Sequence, residues 1–77
     1  MKQLLDRTQA AEHFAQANRL IAEGQQRVDA QLALITRLRR DGHDTHAAKA
    51  LLNQLEQTLS LQTTVRDRIV RELKEEQ

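Results

Sequence analysis

The sequence predicts an all-α protein, an antiparallel two-helix hairpin, and we expect two hairpins to form a four-helix bundle. The 77 residues include no proline and only two glycines, and they are rich in Ala, Leu, Gln, Glu and Arg, which favour helices. Apolar residues recur at helical spacing in two long segments of similar length. A short break that contains Gly42 separates the segments. One hairpin domain therefore accounts for residues 1–77.

The first helix is predicted over about residues 6–40. Asp6 or Thr8 can cap its start, and Arg37, Arg39 and Arg40 complement the dipole at its end. Its apolar stripe is three heptad columns wide: Phe14, Ile21, Val28 and Ile35; Ala17, Gly24, Gln31 and Leu38; His13, Leu20, Arg27 and Leu34.

Residues 41–44 are predicted to be a turn. A glycine just after an arginine-rich helix end typically adopts the left-handed conformation, so Gly42 ends the first helix. Asp44 or Thr45 then accepts a hydrogen bond from the first free amides of the second helix. His43 and His46, with Asp41 and Asp44, could in principle hold a metal ion. Capping explains the residues without one, because a structural site needs four well-placed ligands.

The second helix is predicted over about residues 45–75. Its stripe is again three columns wide: Ala48, Leu55, Gln62 and Ile69; Leu52, Leu59, Arg66 and Leu73; Leu51, Thr58, Val65 and Glu72. A two-stranded coiled coil needs only two apolar columns, whereas this width suits a bundle in which each helix touches two neighbours.

The turn makes residues whose numbers sum to about 86 face one another, as in any antiparallel helical hairpin. Gly24 then faces Gln62, and Gln31 faces Leu55. Polar residues inside an apolar stripe can set the register of a bundle. We therefore predict a polar layer of Gln62 and Arg66 near Gly24, where the missing side chain leaves room; the alternative is that both extend to the rim.

A lone hairpin would leave part of each stripe exposed, and a long exposed apolar strip usually marks an association surface. The expected partner is a second copy of the chain, and the alternative is another helical protein. The predicted association face comprises Phe14, Ala17, Ile21, Gly24, Val28, Gln31, Ile35, Leu38, Ala48, Leu52, Leu55, Leu59, Gln62, Arg66, Ile69 and Leu73.

Composition disfavours several function classes. Cysteine is absent, the net charge is +1 and Phe14 is the one aromatic residue, so thiolate chemistry and base stacking are not expected. No catalytic constellation or glycine-rich phosphate loop is present, and we expect no enzyme activity and no cofactor. The lack of an export signal or an apolar span favours the cytoplasm and no membrane contact.

Two alternatives concern charged or titratable side chains. The Arg37, Arg39 and Arg40 cluster could bind nucleic acid or a signalling phosphate, although nucleic-acid domains usually carry a larger basic surface. His13 lies on the first helix of a hairpin, as does the phosphoacceptor of sensor histidine kinases. The sequence around it, HFAQAN, lacks the acidic residue and the proline of those domains.

The run from Ala22 to Leu59, with Gly-His-Asp-Thr at its turn, resembles small uncharacterised helical-hairpin proteins of alphaproteobacteria and related bacteria. Arg66, Asp67, Arg68 and Ile69 extend the resemblance, which covers about residues 22–73. It implies a hairpin fold and a bacterial origin. It implies no activity and transfers no functional residue. The sequence as a whole favours a non-enzymatic module for protein interaction: a small adaptor, regulator or dimerisation element.

Overall fold

Two long helices joined by a tight turn form an all-α antiparallel hairpin. The computed structural model describes the backbone of residues 2–75 and the side chains of residues 7–75. Within that range, α1 is Lys2–Arg40 and α2 is His46–Glu75. The hairpin measures 61 × 14 × 14 Å. A globular chain of this length would have a radius of gyration of about 12 Å, whereas the hairpin has 17.6 Å.

The start of α1 differs from the sequence prediction. The helix begins at Lys2 rather than near Asp6, so the backbone at Asp6 and Thr8 lies inside it; the side chain of Asp6 is outside the described set. A capping residue permits a helix to start but does not require it, and no helix breaker precedes Asp6.

The end of α1 is a Schellman motif, as the position of Gly42 indicates. The amide of His43 donates to the carbonyl of Leu38 at 2.8 Å, and the amide of Gly42 donates to the carbonyl of Arg39 at 3.2 Å. Gly42 has a φ of 76°, a value that a side chain would disfavour. These two bonds satisfy carbonyls that the end of a helix leaves free and turn the chain back on itself.

The start of α2 is capped by Asp44. Its Oδ1 accepts a hydrogen bond from the amide of His46 at 2.9 Å, and the amide of Lys49 donates to the carbonyl of Thr45 at 2.9 Å. Of the two capping residues that the sequence offered, Asp44 is the one whose side chain makes this bond. The whole break between helices is therefore explained by backbone termination and capping.

Candidate interaction surface

The residues predicted as an association face lie where α1 and α2 contact each other, and we call them the seam. Ala17, Val28 and Ile35 are buried there, and Gly24 is buried as well. The other apolar members are half-buried: Phe14, Ile21, Leu38, Ala48, Leu52, Leu55, Leu59, Ile69 and Leu73. Over its described residues α2 contributes no buried residue. Two helices thus make a seam but cannot enclose a core.

Gln31 is the buried polar residue of the seam in the described part of the chain, with 8% of its surface exposed. Its Nε2 donates to the carbonyl of Ala48 at 2.9 Å. This carbonyl is closer to the turn than Leu55, the neighbour that simple pairing predicts for Gln31. The bond satisfies the buried amide, which would otherwise cost about 1–3 kcal/mol, and it ties the two helices together near the turn.

Gln62 packs against Gly24, as the register predicted. A Cβ placed on Gly24 would lie 3.1 Å from Gln62 Oε1 and 3.2 Å from Leu59 Cδ1. The missing side chain therefore makes the room that the Gln62 amide occupies. Oε1 is buried and has no hydrogen-bond partner among the described residues. The two glutamines of the seam therefore differ. The Gln31 amide donates a hydrogen bond to the other helix, whereas the buried oxygen of Gln62 accepts none from the described residues.

Arg66 does not join Gln62 in a polar layer. Its Nη2 pairs with Oδ1 of Asp67 at 3.2 Å, and its side chain is 32% exposed. Nε donates to the same oxygen at 3.3 Å. A guanidinium is costly to bury unless its donors are satisfied, and Asp67 offers a carboxylate at the surface. The alternative prediction, that the side chain extends to the rim, fits Arg66 but not Gln62.

One side of the seam presents large apolar side chains, and we call it the leucine side. It consists of the third column of each helix together with Leu61: His13, Leu20, Arg27 and Leu34 on α1, and Leu51, Thr58, Leu61, Val65 and Glu72 on α2. Leu61 is 68% exposed and Val65 is 53% exposed. With Leu20 and the seam residues Ala17 and Gln62, they line a groove of about 280 Å³ whose exposed atoms are apolar.

The opposite side is polar, and we call it the threonine side. A groove of about 450 Å³ there is lined by Gln25, Glu56, Ser60, Thr63 and Thr64, with Val28 and Leu59 of the seam beneath them. Leu32, one heptad after Gln25, is the large apolar residue exposed on this side among those described. The hydroxyl of Thr63 donates to the carbonyl of Leu59 at 3.0 Å. Part of this surface therefore satisfies its polar groups within α2.

The accessible surface of the hairpin is large for its mass. A compact monomer of 8.9 kDa exposes about 4,800 Å². The hairpin exposes 6219 Å², which exceeds that value by about 1,400 Å². A stable interface buries about 800 Å² on each partner. The surplus therefore exceeds what one such interface would cover.

The turn and the arginine cluster lie together at one end of the hairpin. Arg37, Arg39 and Arg40 lie in the last turn of α1 and are exposed, as are His43 and His46. Among the residues that the structure describes, no three His, Asp or Glu side chains come together as metal ligands. His13 is exposed and lines the edge of the leucine side next to Ala17, Leu20 and Val65. Neither helix, over its described length, has an apolar stretch that could cross a membrane.

The sequence contained all three columns of each stripe but did not distinguish the seam from the leucine side. Two columns that alternate at spacings of three and four residues make the contact in a pair of helices, and either outer column of each stripe forms such a pair with the central one. The third column then lies beside that contact. Leu61 lies outside all three columns, so the stripe alone could not identify it.

Comparison with known proteins identifies no relative. No protein-family model, no curated protein and no solved structure matches the chain. The resemblance to bacterial hairpin proteins is thus supported at the level of fold alone, as a two-helix hairpin with no family identified.

Proposed function

We propose that this protein is a non-enzymatic protein-interaction module that self-associates through its leucine side. It would serve as a small adaptor, regulator or dimerisation element. The observation that carries the proposal is the exposure of Leu20, Leu51, Leu61 and Val65 on one side of the hairpin, at 40%, 46%, 68% and 53%. Leu20, Leu61 and Val65 line one groove; single exposed apolar residues are normal on protein surfaces, whereas such a contiguous group usually marks an interaction site.

The large exposed area of the hairpin supports the proposal, because association would add to the stability of a chain with so small a core. A chain of this size has a marginal core even when it is compact, and buried residues of the described chain are confined to α1. Further helices packed on the leucine side would bury the third column of each stripe, which the hairpin itself leaves largely exposed. Each apolar side chain that becomes buried contributes about 1.5–3 kcal/mol.

Light scattering over a concentration series tests this proposal, with helicity followed by circular dichroism in the same samples. We expect a dimer mass and a helicity that survives dilution above the dissociation constant. A monomer mass at every concentration, with full helicity, would contradict self-association, because the hairpin would then be stable with its leucine side exposed.

An arginine variant separates this proposal from binding of nucleic acid or phosphate. Replacing Arg37, Arg39 and Arg40 with Gln removes the exposed cluster and leaves the leucine side intact. We expect the mass to remain that of the dimer. Loss of the dimer in this variant would mean that the cluster, rather than the leucine side, organises the assembly.

A further inference from the structure

We infer that the partner on the leucine side is a second copy docked with both turns at the same end, so that α1 of each copy lies on α2 of the other. This inference rests on the proposed self-association and adds its geometry. Two face-to-face hairpins related by a two-fold axis have two simple arrangements. In one the turns lie at the same end; in the other they lie at opposite ends, and like helices stack on each other.

The apolar rows of the leucine side permit both arrangements. Leu20 on α1 is level with Val65 on α2, and both line the same groove. Leu34 and Leu51 are each two heptads away, in the direction of the turn, and are level with each other by the same register. With the turns together, Leu20 meets Val65 of the second copy and Leu34 meets Leu51. With the turns apart, Leu20 meets Leu34 and Leu51 meets Val65.

The polar rows favour turns at the same end. Arg27 is level with Thr58, and His13 is level with Glu72, each pair on opposite helices. With the turns together, Arg27 meets the hydroxyl of Thr58 and His13 meets the carboxylate of Glu72. With the turns apart, the two-fold axis passes near Arg27 and stacks it on its own copy. Like charges placed opposite one another in an interface are unfavourable, so register and charge select the first arrangement.

In both arrangements, every adjacent pair of helices in the four-helix bundle is antiparallel. The excess of exposed surface over that of a compact chain, about 1,400 Å², exceeds the roughly 800 Å² that each partner buries in a stable interface. The surplus is thus large enough to supply one stable interface with a second copy, whose rows supply matching groups at the same heights.

Distance measurement between spin labels tests the orientation. The chain has no cysteine, so His43→Cys provides a single labelling site in the exposed turn. With both turns at the same end, we expect the two labels to lie within about 20 Å, roughly two interhelical distances. With the turns at opposite ends, they would lie about 45 Å apart at 1.5 Å per residue.

The mass of each labelled sample, measured by light scattering, separates two kinds of failure. A dimer whose labels lie about 45 Å apart, with the turns at opposite ends, would overturn the orientation and leave self-association intact. A monomer at every concentration would overturn both the orientation and the proposed function. Ala30→Cys, near the middle of α1 and exposed, is the control. It lies only three residues from Arg27, so its labels should stay well under about 45 Å apart in either dimer. A long distance at His43 alone would therefore report turns at opposite ends.

Discussion

The leucine side and the threonine side flank the same seam but differ in how they satisfy their surface groups. On the threonine side, the hydroxyls of Thr63 and Thr64 donate to carbonyls of their own helix. On the leucine side, Leu61 and Val65 extend into a groove with apolar walls. Polar groups are satisfied by water or by the chain itself, whereas apolar area lowers its free energy only by leaving water. The difference explains why one side, and not the other, is the proposed interface.

The largest expected effect comes from making the leucine side polar. Leu61→Gln with Val65→Gln removes its two most exposed large apolar side chains. Each contributes twice in a symmetric dimer, so we expect the dissociation constant to rise at least about 1,000-fold, as a loss of about 4 kcal/mol implies. Sedimentation equilibrium measures the constant directly.

The control carries the same changes onto the threonine side. Ser60→Gln with Thr64→Gln has the same spacing on the same helix, and both positions are exposed. We expect its dissociation constant to stay within a few fold of the wild-type value. Equal weakening in both variants would mean that the two sides do not differ in association.

Filling the space at Gly24 should give the next largest effect, because this residue lies under both sides. Gly24→Leu introduces a side chain where even a Cβ would lie 3.1 Å from Gln62 Oε1. We expect the free energy of unfolding to fall by about 2 kcal/mol, since overpacking outweighs the gain in helix propensity. Urea unfolding at a fixed protein concentration measures the change.

Gly24→Ala is the matched smaller change at this position. Helix propensity favours it by about 1 kcal/mol, and this gain offsets the cost of shifting Gln62 Oε1 and Leu59 Cδ1, which would lie 3.1 and 3.2 Å from the new Cβ. We expect a free energy of unfolding close to that of the wild type. A loss as large as that of Gly24→Leu would show that the contact with Gln62 is rigid.

The two seam glutamines should respond differently to replacement by leucine. Gln62→Leu removes a buried acceptor that has no partner in the described chain, so we expect the free energy of unfolding to rise by about 1 kcal/mol. Gln31→Leu breaks a bond to the carbonyl of Ala48 while adding apolar area, and we expect a change within about 0.5 kcal/mol. A loss of stability in Gln62→Leu would indicate that this amide finds a partner in the assembly.

The turn serves both sides equally, and removing its cap should have an effect similar in size to that of Gln62→Leu. Asp44→Ala removes the hydrogen bond to the amide of His46 and should lower the free energy of unfolding by about 1 kcal/mol. Asp41→Ala changes an exposed acid in the same turn and should change it little. Thermal unfolding of both variants measures the difference, and a similar loss in the two would argue against Asp44 as the cap.

Much of the fold follows from the sequence because its signals are local. Gly42 and Asp44 specify the turn by backbone conformation and capping, and the turn then sets the register that brings Gly24 to Gln62. The start of α1 at Lys2 was not predicted, because a residue that can cap a helix also fits inside one. The rim position of Arg66 was one of two alternatives between which the sequence did not decide, because the choice depends on the ion pair with Asp67.

The candidate surface was only partly predictable for a different reason. Helical spacing places Leu20 and Leu51 in the apolar stripe, but the stripe does not state which columns the other helix of the hairpin covers. That division requires the packed pair of helices. The predicted association face forms the seam within the hairpin, whereas the side that remains exposed consists of the third columns, which that prediction left out, together with Leu61.

The most direct test compares two leucines with equal exposure on opposite sides. Leu51 on the leucine side is 46% exposed, and Leu32 on the threonine side is 47% exposed, so replacing either with Gln removes a similar apolar side chain. Measured by sedimentation equilibrium, Leu51→Gln should weaken the dimer by roughly 10-fold to 100-fold, while Leu32→Gln should leave it nearly unchanged. Equal effects, or a stronger effect of Leu32→Gln, would contradict the assignment of the leucine side as the interface.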